Sequence, residues 1–273
     1  MTTAPNLLST RYNHTSQFGE DGILQAIFSR IGPGSRWCVE CGAADGIGMS
    51  NTLRLRDQDG WSAVMIEGVE KDFAELQAHC GERPNHWLIQ EMVSEEHPLD
   101  EVLAHTSIPQ QFDLLSLDID GNEYTIWSQM VKYRARVVVV EFNPSFGPFV
   151  FFVQNPKAQT IRSSIGSALQ SIAQLGDSLG YELVCVTDVN CIFVDKREFP
   201  LLNLPTRTPL EQFFELWPNG DCPWMPVVVS DYSGNHYLVR AGGWNQGECR
   251  EFLLGKDLEQ LREQSPALPK PNW

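Results

Sequence analysis

Asp118 and Asp120 stand at the end of one apolar run, 112–119, and Glu141 and Asn143 at the end of another, 137–142. If the two runs are adjacent parallel strands, their carboxyl ends open onto one crevice and bring these four oxygen donors together. Hard oxygen ligands of this kind suit Mg²⁺ or another oxygen-preferring divalent ion, which would orient a substrate hydroxyl and lower its pKa. Asp118 or Asp120 can instead bind the amine of a substrate or cofactor without any metal. Both readings stay open at this point.

A second group lies upstream. The run Trp37–Cys41 breaks into Gly42-Ala43-Ala44-Asp45-Gly46-Ile47-Gly48, a turn whose glycines let the backbone approach a ligand and whose following helix end offers free N–H groups. Position 44 is alanine, so the turn departs from the dinucleotide pattern GxGxxG. Glu40, two residues before Gly42, is placed to accept a hydrogen bond from a ligand amine. Glu67 ends the next apolar run, 25 positions after Gly42, where an acid in a βαβ nucleotide site holds the two ribose hydroxyls.

Other chemistries lack their residues. The histidines, at 14, 79, 86, 97, 105 and 236, show no HxxxH or HExxH spacing, although His14 and His236 could serve as a base from their segments. There is no GxSxG elbow and no P-loop lysine. Cys38 and Cys41 form a formal CxxC, but strand alternation points the two sulfurs to opposite faces. Seven cysteines, an odd number in mostly apolar contexts, fit reduced thiols in a cytoplasm. The N-terminus lacks the layout of a signal peptide, and no 18-residue apolar run predicts a membrane span.

The elements that must position these groups follow from periodicity. Glu20–Ile31 carries apolar residues at helical spacing and ends in Gly32-Pro33-Gly34. Strands are then predicted at Trp37–Cys41, 61–67, 86–93, 112–119 and 137–142, with helices after 50–52, through Phe73 and Leu76, over 99–104 and through Trp127. A helix over 163–179 and two strands, 181–187 and 191–194, joined across Asp188-Val189-Asn190, complete the series. Near-continuous apolar strands alternating with helices predict a parallel sheet covered on both faces, here ending in an antiparallel hairpin. The segment 143–162, rich in Phe and Pro, and the tail 198–273 fall outside this series. Both could cover the active site. Phe146, Phe149, Phe151 and Phe152 would then be a lid, a dimer contact or core. The tail should hold a helix near 210–216, a strand near 227–229 and an amphipathic helix over 252–261.

These stretches together resemble the FkbM-type S-adenosylmethionine-dependent methyltransferases. The likeness runs through Ser16-Gln17-Phe18-Gly19-Glu20-Asp21-Gly22-Ile23-Leu24, Val39-Glu40-Cys41-Gly42-Ala43, Ser50-Asn51-Thr52, Gly60-Trp61 and Ile66-Glu67-Gly68. It continues through 112–123 and Glu141-Phe142-Asn143, so it covers about 16–197 in order. The resemblance implies an α/β, Rossmann-like class I fold: a seven-stranded, mostly parallel sheet whose last strand is antiparallel, with lid insertions and a C-terminal extension. It implies a core over 1–197 that includes the lead-in helix, and an extension over 198–273. It also implies S-adenosylmethionine as cofactor. Glu40, Gly42 and Ala43 would line its methionine side, Ser50, Asn51 and Thr52 would close the pocket, Glu67 would bind the ribose, and Gln17 and Glu20 would approach from the lead-in segment. Family members often carry DxEG where this chain has Asp118-Ile119-Asp120-Gly121-Asn122-Glu123, which leaves the role of the second acid open.

The chain has 273 residues, 42% hydrophobic, with 20 basic against 35 acidic side chains and a net charge of −15. That balance disfavours nucleic acid as a partner. The expected reaction is O-methylation of a small molecule such as a sugar or secondary metabolite, with N- or C-methylation, or a non-catalytic nucleotide- or partner-binding module, as alternatives. A homo-oligomer remains open.

Overall fold

The computed structural model describes residues 6–81, 83–156, 166–223, 225–230, 236–240 and 250–253. It divides into two compact units, one through Pro218 and one from Asn219.

In the first unit the lead-in helix α1 (Glu20–Ile31) starts after Gly19, carries Glu20 and Asp21 in its first turn where the helix dipole favours acids, and stops at Gly32. Its apolar stripe, Ile23, Leu24, Ile27, Phe28 and Ile31, is buried. Phe28 meets Trp61 edge-on at 4.9 Å between ring centroids. Then follow β1 (Trp37–Cys41), α2 (Leu53–Asp57), β2 (Ser62–Glu67), α3 (Glu70–Cys80), β3 (His86–Gln90), α4 (Leu99–Leu103), β4 (Gln111–Leu117), α5 (Glu123–Gln129) and β5 (Arg134–Glu141). The series closes with α6 (Leu169–Ser178), β6 (Tyr181–Val186), β7 (Asn190–Asp195), α7 (Phe199–Leu202) and α8 (Pro209–Leu216).

The strands form one seven-stranded sheet in the order β3-β2-β1-β4-β5-β7-β6. The pairs β3/β2, β2/β1, β1/β4 and β4/β5 are parallel, and β7, the last strand in sequence, runs antiparallel between β5 and β6. This is the Rossmann-like class I architecture expected from the sequence. Nearly every residue of β1, β2 and β4 is buried, which explains runs that read as continuously apolar rather than alternating. At the amino end of β4, Asp113 is fully buried and receives Gly34 N at 3.0 Å and Arg136 Nη1 at 2.8 Å, while Arg136 Nε also reaches Glu198 at 2.9 Å. Those charges close the end of the sheet opposite the site.

Several boundaries differ from the sequence reading. The strand expected over 112–119 ends at Leu117, because Asp120 (φ +59°) and Gly121 (φ +154°) turn the chain out of the sheet. The strand expected over 86–93 ends at Gln90. Helix α6 begins at Leu169, not 163. Residues 166–168 are not helical because their backbone is used elsewhere: Ser167 O accepts from Asn143 N at 2.9 Å, and Ala168 N donates to Phe152 O at 2.9 Å. Residues 163–165 lie outside the described residues.

In the second unit β8 (Pro226–Ser230), β9 (His236–Arg240) and β10 (Arg250–Leu253) form an antiparallel sheet in the order β10-β9-β8. The expected strand at 227–229 falls within β8. The expected helix over 252–261 is corrected at its start, since Phe252 pairs with Leu238 and Leu253 with Tyr237; residues 254–261 lie outside the described residues. A short apolar pair carries no period of its own, so helix and strand were indistinguishable there.

Candidate active site

From β1 the sheet grows one way through β2 and β3 and the other way through β4 and β5. The carboxyl ends of β1 and β4 therefore flank a topological switch point, where open α/β sheets bind their ligands. The turn after β1 enters that crevice tightly. Gly42 N and Ala43 N both donate to Ile66 O at 3.0 Å, and Asp118 N donates to Cys41 O at 3.0 Å. A Cβ on Gly42, at φ +85°, would fall 1.6 Å from Asp118 O, so only glycine lets the turn pass β4.

Glu67, at the end of β2, reaches across to this turn. Its Oε2 accepts from Ala44 N at 2.8 Å and its Oε1 from Val69 N at 2.7 Å, leaving the side chain 8% exposed. Each oxygen has taken one donor and keeps a further lone pair for a ligand hydroxyl.

Glu40 is also buried, but both its oxygens serve the protein. Oε1 accepts from Ser50 Oγ at 3.0 Å and Asn51 N at 2.8 Å; Oε2 accepts from Ser50 Oγ at 2.7 Å and Thr52 Oγ1 at 2.6 Å. Arg56 completes the cluster. It donates to Thr52 Oγ1 at 3.0 Å and Gly46 O at 2.6 Å and lies 3.9 Å from Glu40. Asn51 Nδ2 bridges to Ser116 Oγ on β4 at 3.0 Å. Glu40 thus fastens the 50–52 loop over the ends of β1 and β4, and a ligand amine would have to share an already committed carboxylate.

The lead-in residues divide. Glu20 is fully buried, and its carboxylate accepts from Phe18 N at 2.8 Å, Thr187 Oγ1 at 2.7 Å and Asn190 Nδ2 at 3.1 Å, which ties α1 to the β6–β7 hairpin. Gln17 is half-buried, with its carbonyl accepting from Asn13 Nδ2 at 2.9 Å.

Beyond β4 and β5, carboxylate oxygens of Asp118, Asp120 and Glu141 lie within 4.8 Å of one another. Burial, aggravated by Glu123 and Asp120, pushes Asp118 up to about 7. Burial and the charge of Asp118 raise Glu141 further, and the two side chains share a hydrogen bond. Two carboxylates in this contact cannot both ionise freely, so the pair holds a proton near neutral pH. Glu123, fully buried at the start of α5, adds a fourth acid; its Oε1 accepts from Ile119 N at 3.1 Å and Gly121 N at 2.7 Å, and burial raises its pKa. This all-oxygen donor set fits a hard divalent cation, whose charge would take the place of the shared proton. Asn143 stands at the same strand end, where its Oδ1 accepts from Ser145 N at 2.9 Å and caps the turn Pro144–Phe146. The chain then returns over the loop: Gln154 Nε2 is 3.4 Å from Asn122 Oδ1, and Phe146 stacks on Phe152 at 4.5 Å. Phe149 and Phe151 are exposed.

His14 is exposed, and its Nε2 lies 3.3 Å from Gln58 Nε2. His236 is in β9 of the second unit, and nothing of its side chain is described. Sequence reasoning missed Glu123, Arg56, Ser116 and Asp21. Only Glu123 left a signal, an acid at the first position of a helix after a glycine turn.

No protein-family model matches the chain, and no curated protein does. Among solved structures it is similar to the citrinin polyketide synthase CMeT domain, at TM-score 0.38 and 14% identity over 58% of this chain, and it spans 45% of that one. It is also similar to the CcbJ methyltransferase from Streptomyces caelestis, at TM-score 0.39 and 12% identity over 64% of this chain and 95% of that one. The glycopeptide N-methyltransferase MtfA complexed with sinefungin gives TM-score 0.38 and 11% identity over 67% and 96%. Likenesses this distant decide no activity, which has to come from the residues.

Proposed function

We propose that the chain is an S-adenosylmethionine-dependent methyltransferase acting on an oxygen of a small molecule, such as a sugar or secondary metabolite. The observation that carries this reading is Glu67 bonded to Ala44 N of the glycine turn, at the switch point beside β4. There Glu67 would hold the ribose hydroxyls, Gly42 and Ala43 would line the methionine side, and the 50–52 loop, fastened by Glu40, would close the pocket. S-adenosylmethionine supplies, when bound, an electrophilic methyl group on a sulfonium.

The acids supply proton handling. Asp118, raised to about 7, is matched to accept the proton of an acceptor hydroxyl, with Glu141 beside it as hydrogen-bond donor. Orientation and exclusion of water contribute the rest. A second reading places a divalent ion such as Mg²⁺ at Asp118, Asp120 and Glu141, with Asn143 nearby; the cluster of oxygens within 4.8 Å favours it. The net charge of −15 supports a partner other than nucleic acid. Cys38, Cys41, Cys80, Cys185 and Cys191 are buried free thiols, which supports a reducing cytoplasm. Among the described residues no helix is long and apolar enough to cross a membrane.

Methyl-labelled S-adenosylmethionine incubated with a panel of hydroxylated small molecules tests the reading. Label in an ether-linked product, diminished about 10²- to 10⁴-fold in Asp118→Asn, is the expected result. Label on nitrogen or carbon would move the assignment to another acceptor atom. No turnover with any acceptor, despite cofactor binding, would leave a binding module. A loss of activity with EDTA that Mg²⁺ restores would select the metal reading.

A further inference from the structure

The lead-in residues 13–18 form a strap of which Asn13 and His14 are exposed and Ser16 alone is buried. A segment that buries so little has to be ordered by hydrogen bonds. Three of them converge on one atom. Oδ2 of Asp21, itself 2% exposed, accepts from His14 N at 2.8 Å, Thr15 N at 2.9 Å and Ser16 N at 2.9 Å. Three successive N–H groups make a concavity of the kind that binds anions, and here the protein's own carboxylate fills it. Asp21 N in turn donates to Ser16 Oγ at 3.0 Å, and Gly22 N to Tyr12 O at 3.1 Å; a Cβ on Gly22 would sit 2.0 Å from Thr10 O. The start of α1 and the strap are therefore locked together.

One link from the strap reaches the 50–52 loop. Thr15 Oγ1 donates to Ser50 O at 3.1 Å, the carbonyl of the residue whose hydroxyl binds both oxygens of Glu40. We propose that Asp21 is a positioning residue for the cofactor pocket: it sets the 14–16 backbone, and Thr15 passes that placement to the 50–52 loop. This rests on the methyltransferase reading of the pocket. Asp21 touches no ligand in this scheme, and the strap works as a brace from outside.

The test is calorimetric titration of S-adenosylhomocysteine into the full-length wild type, Thr15→Val, Thr15→Ser and Asp21→Asn. Thr15→Val removes the link and leaves the fold of the strap. Its Kd should rise about threefold to tenfold, the worth of one hydrogen bond, while the melting temperature moves by no more than about 2–4 °C. Thr15→Ser should restore the wild-type Kd, and Asp21→Asn should weaken binding in the same direction as Thr15→Val. A wild-type Kd for Thr15→Val, or a loss that serine does not restore, overturns the proposal while leaving the cofactor assignment standing. Failure of the wild type to bind overturns both.

Discussion

Asp118 and Glu141 place two acids in contact inside the protein, where burial raises both pKa values and the charge of Asp118 raises Glu141 further. The native state therefore binds more protons than the unfolded chain, whose carboxyls ionise near about 4. By linkage, the pair costs no stability below that value, and the fold loses stability as pH rises from there toward the raised native values. Glu141→Gln keeps a donor for Asp118 and removes one acid. Its unfolding free energy should gain on that of wild type between about pH 5 and about pH 8; urea denaturation across that range checks it, and parallel pH curves would contradict it. Glu67 was legible in the sequence because its spacing from Gly42 is set by one strand–helix–strand unit. Asp21 was not, since its partners are backbone N–H groups of residues 14–16, which carry no side-chain signature.

Strands were the most legible elements. The runs ending at Cys41, Glu67 and Glu141 are apolar because both faces are covered, and turn signals bound them. Helix α6 was misplaced at its start because residues 166–168 spend their backbone groups on Asn143 and Phe152, contacts set by a return of the chain that periodicity does not encode. The glycine turn is the element on which the site depends most. Gly42→Ala combines a left-handed backbone with contact against Asp118 O and should cost about 2–4 kcal/mol, read from the denaturation midpoint. In the same turn, Gly48→Ala meets nothing closer than Asp45 Oδ1 at 3.5 Å and should cost less than about 1 kcal/mol. Equal losses in the two variants would count against the tight passage beside β4.

Across the whole molecule, every residue assigned to the cofactor or to proton handling lies in the unit ending at Pro218. A chain cut after Pro218 should therefore unfold cooperatively and bind S-adenosylhomocysteine with the affinity of the full protein. Loss of binding with retained cooperative unfolding would assign the second unit a part in the cofactor site. The order of elements, strands alternating with helices and closing in a hairpin, was sufficient for the architecture of the first unit, whereas the second unit's sheet pairs the expected strand at 227–229 with 236–240, which periodicity left unassigned, and that in turn with 250–253, whose end reads as helix. The most direct test of the account is titration of S-adenosylhomocysteine into wild type and Glu67→Ala, in Mg²⁺ and in EDTA. The account predicts binding by the wild type and a loss of about tenfold to 100-fold in the variant, the worth of hydrogen bonds to a charged carboxylate. No binding heat in either buffer, together with no thermal stabilisation by saturating ligand, would contradict it.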